Sequence, residues 1–252
     1  MTKTLLSLAL AAAAALPAHA DLTTAGDLSF TSFNADEDGF AMVALADIAP
    51  NTKVYFTDNE WGGSAFNTGE SYSSWLSGAN VIAAGTVIRF SKVDSATLLA
   101  ASVGSFSREA VSGSTNWGLS TSEDTVYAYL GTSATAPTLF LSAVTNGTFG
   151  NASSGSLANT GLSTSNGAIK LSNGSDYAEY NGLRTGQATF ADYKPLVSNV
   201  ANWNDLGNSA DGTNLAPDTT AFAVTAVPEP QTYALMLSGL LAVGFMARRR
   251  RG

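Results

Sequence analysis

Between residues 21 and 226 the chain seldom runs more than about ten residues without Gly, Asn, Asp or Pro. That interval is too short for helices of ordinary length but suits strands of four to eight residues, roughly, closed by tight turns. Leu28 to Phe33 alternates apolar Leu28 and Phe30 with polar Ser29 and Thr31. Phe40 to Ile48 is almost wholly apolar, as a strand buried on both faces would be. Further strands are expected at Val54–Thr57, Thr86–Phe90, Thr125–Leu130, Thr138–Val144, Ala168–Leu171, Tyr177–Tyr180 and Thr220–Val224. Tyr127 and Tyr129 should share one face. A helical period is visible only over Ser95–Val103, and Asn146–Gly167 is rich in Gly, Ser, Asn and Ala and reads as long loops. The pattern predicts an all-β body, a sandwich or a barrel.

Composition narrows the chemistry. The chain has no cysteine, so no disulfide can brace it and the core has to be large enough to hold the fold. Its one histidine is His19, near the N-terminus. Removal of the first 20 residues would leave neither His nor Cys. A Ser-His-Asp triad, a Cys-His pair and a zinc site of imidazole or thiolate would then be impossible. Residues 21–226 carry 19 carboxylates against Lys53, Arg89, Lys92, Arg108, Lys170, Arg184 and Lys194, a net charge of −12. A surface of that sign opposes phosphate contacts, so no nucleic-acid partner is expected.

Both ends read as targeting segments. Met1 to Ala20 has a basic start at Lys3, an apolar stretch from Leu5 to Leu16 and a small-x-small cleavage site, Ala18-His19-Ala20. This predicts a signal helix handled by the Sec translocon and signal peptidase, with Asp21 as the mature N-terminus. At the other end, residues 231–247 form a run of 17 without charge. As a helix the run would be about 25 Å long, against a hydrocarbon core of roughly 30 Å. Arg248, Arg249, Arg250 and Arg251 follow, should stay on the cytoplasmic side, and can snorkel to the interface. The expected organisation is a signal peptide at 1–20, a β-sandwich body at 21–226 and a sorting segment with a transmembrane helix at 227–252.

Val227-Pro228-Glu229-Pro230, an apolar helix and a terminal Arg cluster, in that order, resemble the PEP-CTERM sorting signal of Gram-negative bacteria. The resemblance implies recognition by an exosortase, transient residence in the inner membrane and cleavage near Pro228-Glu229-Pro230. It also implies a body that passes from the periplasm to the cell surface or beyond, in association with exopolysaccharide and biofilm matrix. In the body, Asp27-Leu28-Ser29-Phe30, Gly39 to Leu45, Tyr55 to Trp61, Phe66 to Glu70 and Leu119 to Asp124 resemble a module of large bacterial extracellular proteins. Its layout is similar to lamin-tail-like, immunoglobulin-type β-sandwiches. That resemblance implies a surface or matrix module without catalytic residues.

Two constellations stand out. Asn34, Asp36 and Asp38, followed by Gly39, repeat the first half of an EF-hand calcium loop, but the twelfth position is Leu45 and strand sequence follows. The EF-hand is excluded; a solvated acidic turn is expected, with a looser calcium site as the alternative, and no other cofactor is expected. Asp58, Glu60 and Trp61, with Glu70 and Trp75, supply the carboxylates and indoles that a glycosidase or a carbohydrate-binding module uses. No spacing here is diagnostic of catalysis, and Asp58-Asn59 also suits a strand-ending turn. The sequence therefore reads as a non-enzymatic surface or matrix protein. Its alternatives are a carbohydrate-binding module or carboxylate glycosidase, and a calcium-stabilised adhesion module.

Overall fold

The computed structural model describes residues 21–150, 154–225 and 235–241. The signal peptide with its cleavage residues Ala18 and Ala20, the sorting residues Val227, Pro228, Glu229 and Pro230, and Arg248 to Arg251 lie outside the described residues.

In chain order the strands are β1 (Leu28–Asn34), β2 (Gly39–Ala44), β3 (Lys53–Thr57), β4 (Tyr72–Leu76), β5 (Val87–Ser91), β6 (Ala100–Ala101), β7 (Ser105–Arg108), β8 (Thr125–Ser133), β9 (Ala136–Thr145), β10 (Ala168–Lys170), β11 (Tyr177–Tyr180) and β12 (Trp203–Asp205). A short helix, α1 (Lys194–Ser198), precedes β12. Two six-stranded sheets result. The first has the order β12-β11-β1-β2-β5-β6 and the second β10-β9-β8-β3-β4-β7. All named pairings are antiparallel except that of β10 with β9. The edge strands β12, β6, β10 and β7 are two to four residues long.

The sheets face each other across an aromatic layer. Phe40 and Phe90, cross-strand partners in the first sheet, stack at 4.9 Å between ring centroids. From the second sheet Phe56 approaches Phe90 at 5.1 Å, Phe106 at 5.1 Å and Trp75 at 5.9 Å. These are the offset and edge-to-face distances that ring quadrupoles favour. Alternation along the strands places Val54, Phe56, Trp75, Val126, Ala128 and Val144 in this layer.

The intervening residues build a second core on the other face of that sheet. Tyr55, Tyr72, Tyr127, Tyr129, Phe140 and Ala143 pack there with Trp61, Leu162 and Phe66. Tyr127 and Tyr129 do share a face, as their spacing requires, but it is the outer one. The loops after β3 and β9 cover it. Tyr127 donates to the Ser156 carbonyl at 3.0 Å, and Trp61 donates to that of Ala158 at 2.8 Å. Gly155 (φ +71°) lies so close that an added Cβ would sit 2.4 Å from the Tyr127 hydroxyl.

A third tie joins the start of the body to α1. Lys194 Nζ lies 2.6 Å from Asp27 Oδ1 and also donates to Thr24 Oγ1 and the Ala25 carbonyl. Burial raises the Asp27 pKa, but the Lys194 ammonium and the Thr23 and Thr24 amides outweigh it and hold the carboxyl below its ordinary value.

Several expectations need correction. Ser95–Val103 is not a helix; it makes one turn, closed by Leu99 N–H to the Ser95 carbonyl at 3.2 Å, and then enters β6. The run Phe40–Ile48 leaves the ladder after Ala44, and Ile48 instead bridges Ile82. Thr220–Val224 is extended but makes a single bridge, Val224 to Gln187. Residues 235–241 are helical and exposed. Among the described residues no helix is long and apolar enough to cross a membrane; the rest of the expected span lies outside them.

Replacing Phe90 removes the ring that touches Phe40, Phe56, Trp75 and Phe106. Phe90→Ala is expected to lower stability by about 3–5 kcal/mol, read as a shifted midpoint in chemical denaturation. A shift below about 1 kcal/mol would show that the aromatic layer does not hold the sheets together.

Candidate functional site

The second sheet ends in a group of carboxylates. Asp58 follows β3, Glu70 and Ser71 precede β4, and Asp124 precedes β8. The register of β3 on β8 pairs Thr57 with Tyr127, which brings the residues just beyond Thr57 beside those just before Tyr127. Asp58 is buried, and its Oδ1 accepts from Ser71 N–H at 2.9 Å and Ser71 Oγ at 2.7 Å. Asn59 Oδ1 accepts from Glu70 N–H at 3.1 Å, while Asn59 Nδ2 donates to Thr57 Oγ1 and to the Ser71 carbonyl. Asp58 Oδ2 and Glu70 Oε2 are enclosed without a hydrogen-bond partner. Asp124, also buried, accepts from the amides of Ser120 at 2.9 Å and Thr125 at 2.7 Å.

Burial dominates the electrostatics. It pushes the Asp58 carboxyl up to about 6 against the hydrogen bonds from Ser71, with the Glu60 charge adding to the rise. Burial, then the charges of Asp58 and Glu60, push Glu70 up to about 8. Asp124 is raised well above the carboxylate range by burial and by the Asp58 charge. Glycosidases separate the roles of two carboxyls by shifts of this kind. The space beside Asp58 is different: the cavity lined by Phe56, Asp58, Ser71 and Leu119 measures about 10 Å³, at most one water and no sugar ring.

The indoles are likewise committed to the interior. Trp75 is fully buried, and its Nε1–H donates to the Val103 carbonyl at 2.7 Å. Trp61 is 6% exposed, with Phe66 at 4.9 Å and Phe140 at 5.0 Å against its ring. Trp75 therefore offers no ring face for stacking on a sugar, and Trp61 almost none. Glu60 and Trp61 do border an open groove of about 330 Å³ with Phe66, Asn67 and Gly155, and Asn67 Nδ2 donates to Glu60 there.

The β1–β2 turn uses its oxygens on the backbone. Asn34 Oδ1 accepts from the amides of Asp36 and Glu37, and its Nδ2 reaches the Gly212 and Leu215 carbonyls. Asp36 Oδ2 accepts from Gly212 N–H at 2.7 Å, and Asp38 Oδ1 from Leu119 N–H at 2.6 Å. Asp38 (φ +55°) is buried enough that its carboxyl rises to about 6. Asn34, Asp36 and Asp38 thus fasten this turn to residues 212–215 and 119. Among the described residues no group of three or more acidic side chains is arranged to hold a metal ion.

A feature that sequence reasoning missed is an open cleft of about 460 Å³, lined by Thr164, Ser165, Lys170, Pro195, Ser198 and Asn199. It joins the long loop after β9 to α1, a juxtaposition that no local pattern signals. Lys170 Nζ donates to Asn173 Oδ1 at 3.3 Å at its edge.

Compared with known families, residues 226–251 match the PEP-CTERM protein-sorting motif. The chain therefore carries an exosortase-directed sorting signal, the mark of a membrane-processed surface protein. No curated protein and no solved structure matches the chain.

The raised carboxyls give the body a pH dependence of definite sign. Folded-state values above those of an unfolded chain mean that the folded protein holds the extra protons. The stability this supplies is complete in acid and is lost as pH rises through about 6 for Asp58 and about 8 for Glu70. Glu70→Gln cannot ionise, so its thermal midpoint relative to wild type should move in its favour as pH rises from about 4.5 towards about 8, and level off above. A constant difference across a series of thermal melts from acid to alkaline pH would show that Glu70 titrates normally.

Proposed function

We propose that this is a non-catalytic exported protein whose β-sandwich body, of immunoglobulin or lamin-tail-like type, is delivered by exosortase processing to the cell surface or extracellular matrix. The observation that carries the reading is the sorting motif at residues 226–251. It stands behind an acidic, cysteine-free body and is matched at the other end by a signal-peptide pattern. In this reading the first 20 residues are removed after export through the Sec translocon. The C-terminal segment then holds the body on the periplasmic side of the inner membrane. Cleavage near Pro228-Glu229-Pro230 passes the acyl end of the body to water or to an acceptor amine and leaves the helix behind. The absence of a catalytic role rests on a body, residues 21–226, without histidine or cysteine and on the closed surroundings of Asp58.

Mass spectrometry of the released protein tests the processing. The mature species is expected to begin at Asp21 and to end near Pro228-Glu229-Pro230. A released species that still ends in Arg251-Gly252 would overturn it.

One observation favours a second reading, exopolysaccharide binding by the body. The open cleft of about 460 Å³ sets hydroxyls, an amide and Lys170 beside Pro195 and Val200, an apolar lining with a few polar groups that can fix a ligand's orientation. On a glycan array the protein is expected to retain polysaccharides, and Lys170→Ala to weaken that signal roughly tenfold, the loss of one charge-assisted contact. A flat array, or a signal indifferent to Lys170, would remove this reading and leave the sorting one untouched.

A further inference from the structure

The body stays folded up to the edge of the sorting motif. The last described stretch before the motif, residues 216–225, is an extended strap laid against the first sheet and the turns beside it. Asp218 N–H donates to Glu179 Oε2 at 3.1 Å, and Arg184 pairs with Asp218 at 3.3 Å and donates to the Thr220 carbonyl at 2.8 Å. Phe222 is the anchor. It is 3% exposed, stacks on Tyr180 at 5.6 Å and meets Tyr193 edge-on at 5.1 Å, with the Arg184 guanidinium 5.0 Å from its ring.

The backbone on either side of Phe222 is engaged as well. Phe222 N–H donates to the Gly85 carbonyl at 2.8 Å, Ala223 N–H to that of Arg184 at 2.7 Å and Thr225 N–H to that of Gln187 at 2.8 Å. The Tyr193 hydroxyl donates to the Ala223 carbonyl at 2.7 Å. The fit is close enough that a Cβ on Gly85 (φ +91°) would stand 2.2 Å from the Phe222 carbonyl oxygen.

Thr225 is the residue immediately before the matched motif. From Thr225 to Gln231, where the uncharged run begins, is six residue steps, at most about 20 Å of fully extended chain. A processing enzyme at the membrane therefore meets a scissile region with almost no free chain ahead of it. Clefts that take an extended peptide hold it through main-chain N–H and C=O groups for several residues. Here the groups on the body side are already spent on Gly85, Arg184, Gln187 and Tyr193. One set of amides cannot serve both partners.

We infer that the strap around Phe222 gates processing: exosortase cleaves the chain in the minor state in which residues 221–225 have peeled from the body. The inference rests on the sorting reading above and adds to it a rate-setting step within this chain. Local openings of this kind are separate from global unfolding, because a terminal segment can detach while the sheets remain intact. The device also shields the junction from other proteases while the body is folded.

The test is the rate at which the full-length protein is trimmed in membranes that contain its exosortase. Phe222→Ala removes the anchor, and Gly85→Ala pushes the strap off from the opposite side. Each is expected to raise the rate on the order of tenfold, equivalent to about 1.4 kcal/mol of eased opening. A flexible ten-residue Gly/Ser insertion between Thr225 and Ala226 supplies free chain without touching the body. It should accelerate trimming by as much with an unchanged melting temperature, and in its presence Phe222→Ala should add nothing. An insertion without effect on the rate, or a Phe222→Ala acceleration that persists alongside it, would overturn the gate. Trimming that continues after Pro228, Glu229 and Pro230 are all changed to Ala would instead sink the sorting reading. If trimming depends on those three residues but ignores the insertion, the gate alone falls.

Discussion

Phe90 stands where rings from both sheets meet, and the architecture depends on that meeting. Phe40 belongs to its own sheet, while Phe56, Trp75 and Phe106 come from the other. A secreted sandwich can brace its sheets with a disulfide; this chain has no cysteine, so burial and ring packing do that work. The second sheet adds a tyrosine-rich layer on its outer face. The loops that cover this layer are fixed by hydrogen bonds rather than by further strands. One sheet is thus packed on both sides, which turns a chain of short segments into a body with a continuous interior.

That double packing explains what was legible in the sequence. Val54–Thr57 and Tyr177–Tyr180 declare themselves because their alternation is local, and both are strands. The strand β4, Tyr72-Ser73-Ser74-Trp75-Leu76, does not, since its two large rings point to opposite cores and its serines are buried between them. A rule that expects one wet face cannot see it. The short edge strands β6, β7 and β12 bury too little to leave a pattern. Phe222 gave an apparent strand its apolar centre, but one ring seated among Tyr180 and Tyr193 holds that segment without a ladder.

The candidate site divides in the same way. Asp58, Glu60 and Glu70 are close in sequence, so their cluster could be anticipated. Asp124 joins them only through the register of β8 on β3, a long-range fact. Trp61 and Trp75 look like binding residues in a sequence because Trp is often half-exposed. In the structure both indole N–H groups are satisfied by backbone carbonyls, and the rings serve the cores. The C-terminal sorting motif was the most readable part, because an address is written in consecutive residues and needs no fold to be recognised. The body carries its meaning in contacts between distant segments.

The brevity of the sheet edges has a consequence for life on a crowded surface. Edge strands of two to four residues are a short template for a neighbouring copy to extend. The surplus of carboxylates over basic side chains adds mutual repulsion. Copies brought side by side should therefore remain separate beads instead of growing into a fibre.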